Sequence, residues 1–409
     1  MPSQPERKIA LVLGGGGLKG FAHIGVLAAL EEKGIQPAVL AGTSIGALIC
    51  AAKAGGMSIE DMTDSAKALK RRDLFRLNRV GMLLERTRAP SIYQGGPLRD
   101  VCASVVRDST FEELDTTLLV NTVDLQRGSP VVWGLPGLRD VSVLDAVYAS
   151  CALPGFYPPG DVSDRSCVDG GVIDNLPVNV ASQGMDAVIA VDTGSASLIT
   201  QRDIAAQGFT AIYMRAATTM MHALQLSPLE QWAGPPMILI RPRVSHVGWF
   251  SFTHTEELID AGYRATMDAL RNLDACLSSE SGVFPRRAMR ISVDPEKCIG
   301  CTVCVALAPH VMEMDASGKA VPRSPIVDWS PADGDFVHHC PTYAISAEPA
   351  RPNGKENQPE STEAQTLEEK SERTETVCLH TPASSFGRGG RPDLCGLLSD
   401  DSRCGLAEW

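Results

Sequence analysis

Four consecutive glycines, Gly14, Gly15, Gly16 and Gly17, stand directly behind the apolar run of residues 8–13 (KIALVL) and ahead of a helix-length stretch carrying His23 and Leu27. A chain that leaves a buried strand through bare backbone gathers several N–H groups into one concavity, and the run predicts strand, tight loop and helix in that order. The same order recurs. Short β-rich runs at 38–41, 118–123 and 187–191 alternate with amphipathic stretches at 21–33, 45–54 and 256–273, which implies an α/β sheet with helices on its faces.

At 409 residues the chain exceeds an ordinary single domain, and the α/β region is expected to span 1–275. Residues 276–290, rich in Ser, Gly, Pro and Arg, read as a linker. Residues 291–348 hold four of the twelve cysteines in a stretch too short for a large apolar core, so a metal centre is expected to help it fold. Residues 349–409 turn to Glu, Ser, Thr, Pro, Gly and Asn and are expected to form a disordered tail, with Cys378, Cys395 and Cys404 as free thiols. Lys and Arg total 37 against 49 Asp and Glu, a net charge of −12 that argues against a nucleic-acid partner. No run of about eighteen apolar residues occurs, and residues 1–8 lack the apolar segment of a secretory signal. A cytoplasmic location, peripheral at a membrane at most, is the expectation.

Gly42-Thr43-Ser44-Ile45-Gly46 lies between the second apolar run and a helical stretch, the setting of a G-x-S-x-G nucleophile elbow. In that reading Gly42 and Gly46 permit the sharp turn and Ser44 is pushed out of the sheet edge, though a helix-capping Gly/Ser turn would share the pattern. The first glycine loop suits either a phosphate or the oxyanion of acyl transfer. Gly15, Gly17 and Gly20 satisfy a dinucleotide pattern, but the second strand ends at Ser44 where that motif wants an acidic residue, which favours an oxyanion loop built on Gly15, Gly16 and Gly17. Asp169-Gly170-Gly171 could set a carboxylate beside a serine hydroxyl, or be a simple turn.

Together these three segments resemble the patatin-like phospholipase family, in the family's order, and 149–156 (ASCALPGF) and 174–178 (DNLPV) are similar to its connecting sequences. The resemblance implies a three-layer α/β/α hydrolase with a Ser44–Asp169 dyad that cleaves acyl esters of lipids through an acyl-enzyme and needs no cofactor for that chemistry. Lys19 stands where family members commonly carry Arg, keeping the charge and losing the planar fork. Among the histidines, His23 reads as a packed helix-face residue, and His222, His246 and His254 follow Asp169 without a motif, so none is given a role. The Met-rich stretch 214–226 and the aromatic cluster 248–252 could line an acyl pocket or touch a membrane surface, but are read as core packing and not counted as site residues.

Cys298, Cys301 and Cys304 form C-x2-C-x2-C, and Cys340-Pro341 follows at a distance, a spacing that wraps an iron-sulfur cluster better than it builds the paired knuckles of a zinc site. The segment resembles single-cluster bacterial ferredoxins, and Ala308 occupies the position where two-cluster relatives carry a further Cys. One 4Fe-4S cluster in a small α+β ferredoxin-like domain is implied. Its acidic side chains could steer a basic redox partner or simply form a solvated face. The sequence therefore reads as a lipid carboxylic-ester hydrolase of phospholipase A or lysophospholipase type, carrying an iron-sulfur module of electron-transfer or regulatory role and touching a membrane peripherally where its substrate lies. The alternatives are a redox protein on an inactive hydrolase-like scaffold, and a thioesterase or peptidase using the same dyad.

Overall fold

The computed structural model describes residues 7–78, 91–194, 208–330, 332–333 and 335–350. Its centre is a mixed nine-stranded sheet. β1 (Ile9–Leu13) is flanked by β2 (Val39–Thr43) and β7 (Ala187–Val191), all parallel, because residues buried on both faces need crossover helices to cover them. The sheet continues through β8 (Met237–Ile240) to a short edge strand β9 (Val283–Phe284) on one side. On the other side it runs through β3 (Thr117–Asp124) to the antiparallel strands β4 (Ser129–Trp133), β6 (Arg165–Asp169) and β5 (Gly160–Val162).

Alternation along β1 divides the core in two. Ile9, Leu11 and Leu13 join one buried cluster, which holds α1 (Ala22–Glu32), α2 (Ile45–Ala54) and the inner faces of α3 (Ile59–Ala68), α5 (Gly95–Val105) and α6 (Val143–Cys151); the four-residue α4 (Arg71–Leu74) adds Leu74. Ala10 and Val12 point the other way, into a smaller cluster with α7 (Val178–Ala181) and Leu229 of α8 (Phe209–Glu230). Two cores on opposite faces of one sheet make the three-layer α/β/α arrangement. α9 (Thr255–Ala269) covers α1 so closely that a Cβ on Gly25 would stand 1.8 Å from the Ile259 carbonyl.

The stretch 276–290, expected to be a linker, is structured. It holds the end of α10 (Leu273–Leu277), the sheet strand β9 and the start of β10 (Arg287–Val293), so the α/β sheet ends at Phe284 and not at 275. Arg287 pairs with Asp268 on α9, and one compact unit takes in the whole described chain up to Pro349. The cysteine-bearing part is a three-stranded sheet of β10, β13 (Ile326–Trp329) and β14 (Ile345–Pro349), a hairpin of β11 (Met312–Met314) and β12 (Ala320–Pro322), and the short helices α11 (Val303–Leu307) and α12 (Asp335–His338). Its small apolar cluster includes Cys298, Cys304 and Cys340 themselves. The expected tail, with Cys378, Cys395 and Cys404, lies outside the described residues beyond 350, and so does the side chain of His222.

Candidate active site and cysteine recess

β3 acts as the ruler that brings Ser44 and Asp169 together. β2 runs beside it as far as Thr43 opposite Asn121, and β6 pairs from the next rung, with Asp169 opposite Thr122. Because β4 occupies the other edge across Val120–Asp124, β2 and β6 meet end to end along one edge. The chain leaves β2 at Ser44 just where β6 delivers Asp169. The Ser44 hydroxyl lies close enough to the Asp169 carboxylate to favour its ionised form, and the carboxylate accepts the Gly171 N–H at 2.8 Å.

Ser44 sits at φ 56°, ψ −127°, a strained conformation for a side chain-bearing residue and the geometry of an elbow between strand and helix. Gly42 and Gly46 serve a different need from the one the sequence suggested: neither lies at positive φ, and both permit close approach. A Cβ on Gly46 would lie 2.0 Å from the Leu13 carbonyl oxygen, and one on Gly42 2.5 Å from the carbonyl carbon of Gly46. The Ser44 N–H donates to Ser150 Oγ at 2.8 Å, and that hydroxyl donates to the Asn121 carbonyl at 2.7 Å, filling the gap where β2 departs. Ser150, on α6, lies in the 149–156 segment that is similar to the family's connecting sequences, but that likeness did not single it out as a site residue.

The glycine loop is held from three sides. Gly14 N–H donates to Val191 O at 2.9 Å, and Asn175 grips Gly15 twice, its carbonyl accepting the Gly15 N–H at 3.3 Å and its Nδ2 donating to Gly15 O at 3.2 Å. His23 is fully buried with Nε2 2.8 Å from Gly14 O, so Nε2 carries the proton, and burial pushes its pKa down to about 4. Lys19 is also buried, which lowers its pKa to about 8. Gly17, at φ 58°, passes so near Trp249 O that a Cβ there would stand 2.5 Å away. Among the described residues no acceptor takes the N–H of Gly16 or Gly17, while that of Gly15 is engaged. Gly15 is the loop residue packed beside Ser44, whose Cβ is 3.2 Å from the position a Cβ on Gly15 would take, and the bare pair follows it directly in the chain.

Burial dominates the Asp169 carboxyl and raises its pKa from 3.8 to about 6, against the lowering effect of the Ser44 and Gly171 hydrogen bonds. Above the pair opens a cavity of about 500 Å³. Ser44, Asp169 and Gly17 lie on its wall with Leu48, Met62, Ala66, Leu98 and Tyr157, between α2, α3 and α5. Of the aromatic cluster read from sequence as core, Phe250 and Phe252 pack against the main apolar cluster, and Trp249 and Phe250 also line this cavity; Met220 and Leu224 of the Met-rich stretch are instead 61% and 51% exposed, because local composition does not say which side of a packed layer is hollow. His246 bonds Glu257 and His254 bonds Ser251, and neither lines the cavity.

Cys298, Cys301, Cys304 and Cys340 line one recess with Thr302 and Thr342. Gly300 at φ 69° turns the chain between the first two, where a Cβ would stand 2.5 Å from Gly318 O. The Ala344 N–H points at Cys340 Sγ (3.2 Å) and the Ala320 N–H at Cys298 Sγ (3.5 Å), donors that suit thiolate ligands. Among the described residues, no three of His, Cys, Asp and Glu gather closely enough to hold a single ion.

The family model for patatin-like phospholipase matches residues 11–182, and that for the 4Fe-4S single cluster domain matches 291–347. An uncharacterized NTE family protein of Mycobacterium tuberculosis is 34% identical over 202 residues, 48% of this chain and 52% of that protein. Patatin-like phospholipase domain-containing protein 6 of Homo sapiens is 37% identical over 193 residues, 46% of this chain and 13% of that one. Lysophospholipase nte1 of Aspergillus fumigatus is 28% identical over 287 residues, 63% of this chain and 18% of the other. The chain thus spans about half the length of its mycobacterial relatives and less of the others. Residues 11–182 are thus similar to the one family and residues 291–347 to the other, within a single chain.

Proposed function

We propose that the protein is a serine acyl hydrolase that cleaves lipid carboxylic esters, of phospholipase A or lysophospholipase type. The observation that carries this reading is that Ser44, on its elbow turn, and the buried Asp169 carboxylate share the wall of a largely apolar cavity of about 500 Å³, a size that suits an acyl chain. Ser44 Oγ attacks the ester carbonyl as its proton passes to Asp169. The oxyanion is received by the N–H groups of Gly16 and Gly17; Gly15, expected from sequence to share that task, instead anchors the loop through Asn175. Protonated Asp169 returns its proton to the leaving alcohol, an ester on Ser44 remains, and water repeats the sequence in reverse roles. A carboxyl with a pKa of about 6 is mostly ionised at neutral pH yet basic enough to accept a proton there.

Cys298, Cys301, Cys304 and Cys340 would hold one 4Fe-4S cluster, which supplies one-electron transfer when bound. We read the hydrolase part as ending at Phe284 and the cluster-binding part as residues 287–349, in an electron-transfer or regulatory role toward a redox partner. A peripheral, intracellular protein meeting its substrate at a lipid surface is consistent with the absence, among the described residues, of a helix long and apolar enough to cross a membrane.

The test is fatty-acid release from diacyl phospholipids, lysophospholipids, acyl thioesters and peptides by anaerobically purified protein, with Ser44→Ala as control. Serine-dependent release from a phospholipid or lysophospholipid, with an acyl adduct on Ser44 by mass spectrometry, is expected. Equal release by Ser44→Ala, or turnover confined to thioester or peptide, would overturn the assignment.

A further inference from the structure

We infer that α8 is an interfacial helix that lies on a lipid bilayer and sets the catalytic turn against it. The helix (Phe209–Glu230) exposes Ile212 (47%), Tyr213 (42%), Met220 (61%) and Leu224 (51%), and Ile212, Ala216, Met220 and Leu224 recur every fourth residue as one slowly winding stripe. Such a contiguous apolar strip differs from the scattered apolar side chains of an ordinary surface.

Three observations name the occupant. First, the strip adjoins the proposed site. Met221 packs onto Gly171, where a Cβ would stand 2.8 Å from its Cε, and Gly171 N–H is the donor to Asp169. Val172, on the same turn, is itself 36% exposed and extends the apolar surface from the helix to within three residues of Asp169. Second, the charge pattern suits a headgroup layer. Residues 209–229 contain no Asp or Glu, in a chain that has 49 of them in 409, and Arg215 and His222 are the helix's basic groups. An acidic protein that keeps carboxylates out of this helix up to its last residue, Glu230, lowers the repulsion from anionic lipid along it. Third, the helix has mixed polarity and is interrupted by Pro228, and it is not apolar enough to cross a bilayer, so it lies on the surface. Tyr213, with an apolar ring and a polar tip, belongs at such a boundary.

The inference takes its choice of a lipid surface from the acyl hydrolase reading, and its test does not depend on turnover. Full-length Ser44→Ala protein is floated with vesicles of equal parts phosphatidylcholine and phosphatidylglycerol, beside the same protein carrying Met220→Glu and Leu224→Glu, and a conservative Met220→Leu control. The parent and the control float, and the doubly charged variant partitions about a hundredfold more weakly, since two large side chains no longer bury in the acyl region. In the Ser44 background the same pair of substitutions leaves hydrolysis of a soluble short-chain ester unchanged, which shows that the protein is folded. A parent that does not float, or a variant that floats as the parent does, overturns the inference. So does a parent that sediments as a dimer while the variant is monomeric and still floats, because the strip would then be a contact between two copies. Hydrolysis without vesicle binding would remove the interfacial helix and leave the enzyme; vesicle binding without hydrolysis would do the reverse.

Discussion

Replacing Asp169 by Asn should make the folded protein more stable at neutral pH while abolishing hydrolysis. The carboxyl is 4% exposed, and its pKa is raised from 3.8 in an ordinary setting to about 6. Below pH 3.8 both folded and unfolded chains hold the proton and the group contributes nothing to pH dependence. As pH rises from 3.8 to 6 the unfolded chain ionises first, so stability falls, and above 6 the loss is constant. Two pKa units correspond to about 3 kcal/mol of stability lost at pH 8. An amide has the shape of the carboxyl without the charge. Allowing about 1 kcal/mol for poorer hydrogen bonds to Ser44 and Gly171, Asp169→Asn should be about 2 kcal/mol more stable than the parent at pH 8 and no more stable at pH 4. His23, pushed down to about 4 by burial, works in the opposite sense, since its unfolded form gains a proton first as pH falls below 6.5. It is common to both proteins, so the difference between them isolates Asp169. Urea unfolding of both proteins at the two pH values measures it. A stability difference that is the same at pH 4 and pH 8, or a variant less stable at pH 8, would refute the buried-charge argument.

If Asp169 is the base, kcat/KM on a soluble ester should fall about tenfold per pH unit below an apparent pKa near 6, with a single-proton slope, and a flat profile to pH 5 would exclude it. Gly46→Ala should destabilise by about 3 kcal/mol or more in thermal melts, because the new methyl meets the Leu13 carbonyl and backbone cannot yield; an unchanged Tm would contradict the close approach. Ala66→Phe, filling the cavity, should lower kcat/KM for long-chain esters about tenfold and leave short-chain esters within about twofold, as read from a chain-length series. Cys304→Ala should lose bound iron and the visible absorption of the anaerobically reconstituted protein, with iron content as the measurement.

Much of this was legible in sequence because the chemistry imposes local rules. Runs of residues buried on both faces give the parallel strands, as at 187–191, and a serine between glycines after a strand gives the elbow. Asp169 stands out only through the resemblance, since its Asp-Gly-Gly turn alone reads as a plain turn, while the C-x2-C-x2-C spacing and the distant Cys-Pro single out the four cysteines. What could not be read is whatever depends on which rung meets which. Ser150 fills a gap defined by where β2 stops along β3, and Asn175 reaches back 160 residues to Gly15; both stand in segments similar to the family's connecting sequences, yet the contacts they make are not written in those segments. The edge strand β9 is two residues long and sits in a Ser/Gly/Pro stretch, so composition argued for a linker and pairing with β8 overruled it. The hollow among α2, α3 and α5 was illegible for the same reason: a buried apolar residue has one sequence signature whether it faces a neighbour or a void.

The features that point to function are the places where the chain goes against its own stability. Ser44 is held at positive φ, Asp169 is ionised while buried, the N–H groups of Gly16 and Gly17 have no acceptor among the described residues, and the cavity wall forgoes packing contacts. Each alone costs on the order of 1–3 kcal/mol, comparable in sum to the net stability of a domain. They are tolerable together because they converge at one end of β1, β2 and β3, strands almost wholly buried and paired on both edges, so that the loss is local and the rigidity is inherited from the sheet. Among the described residues Ser163, Asp164, Thr302 and Tyr343 also stand at positive φ, but of the five only Ser44 lines the apolar cavity beside a buried carboxylate, and it is that coincidence, not strain alone, that the proposed acyl transfer would use.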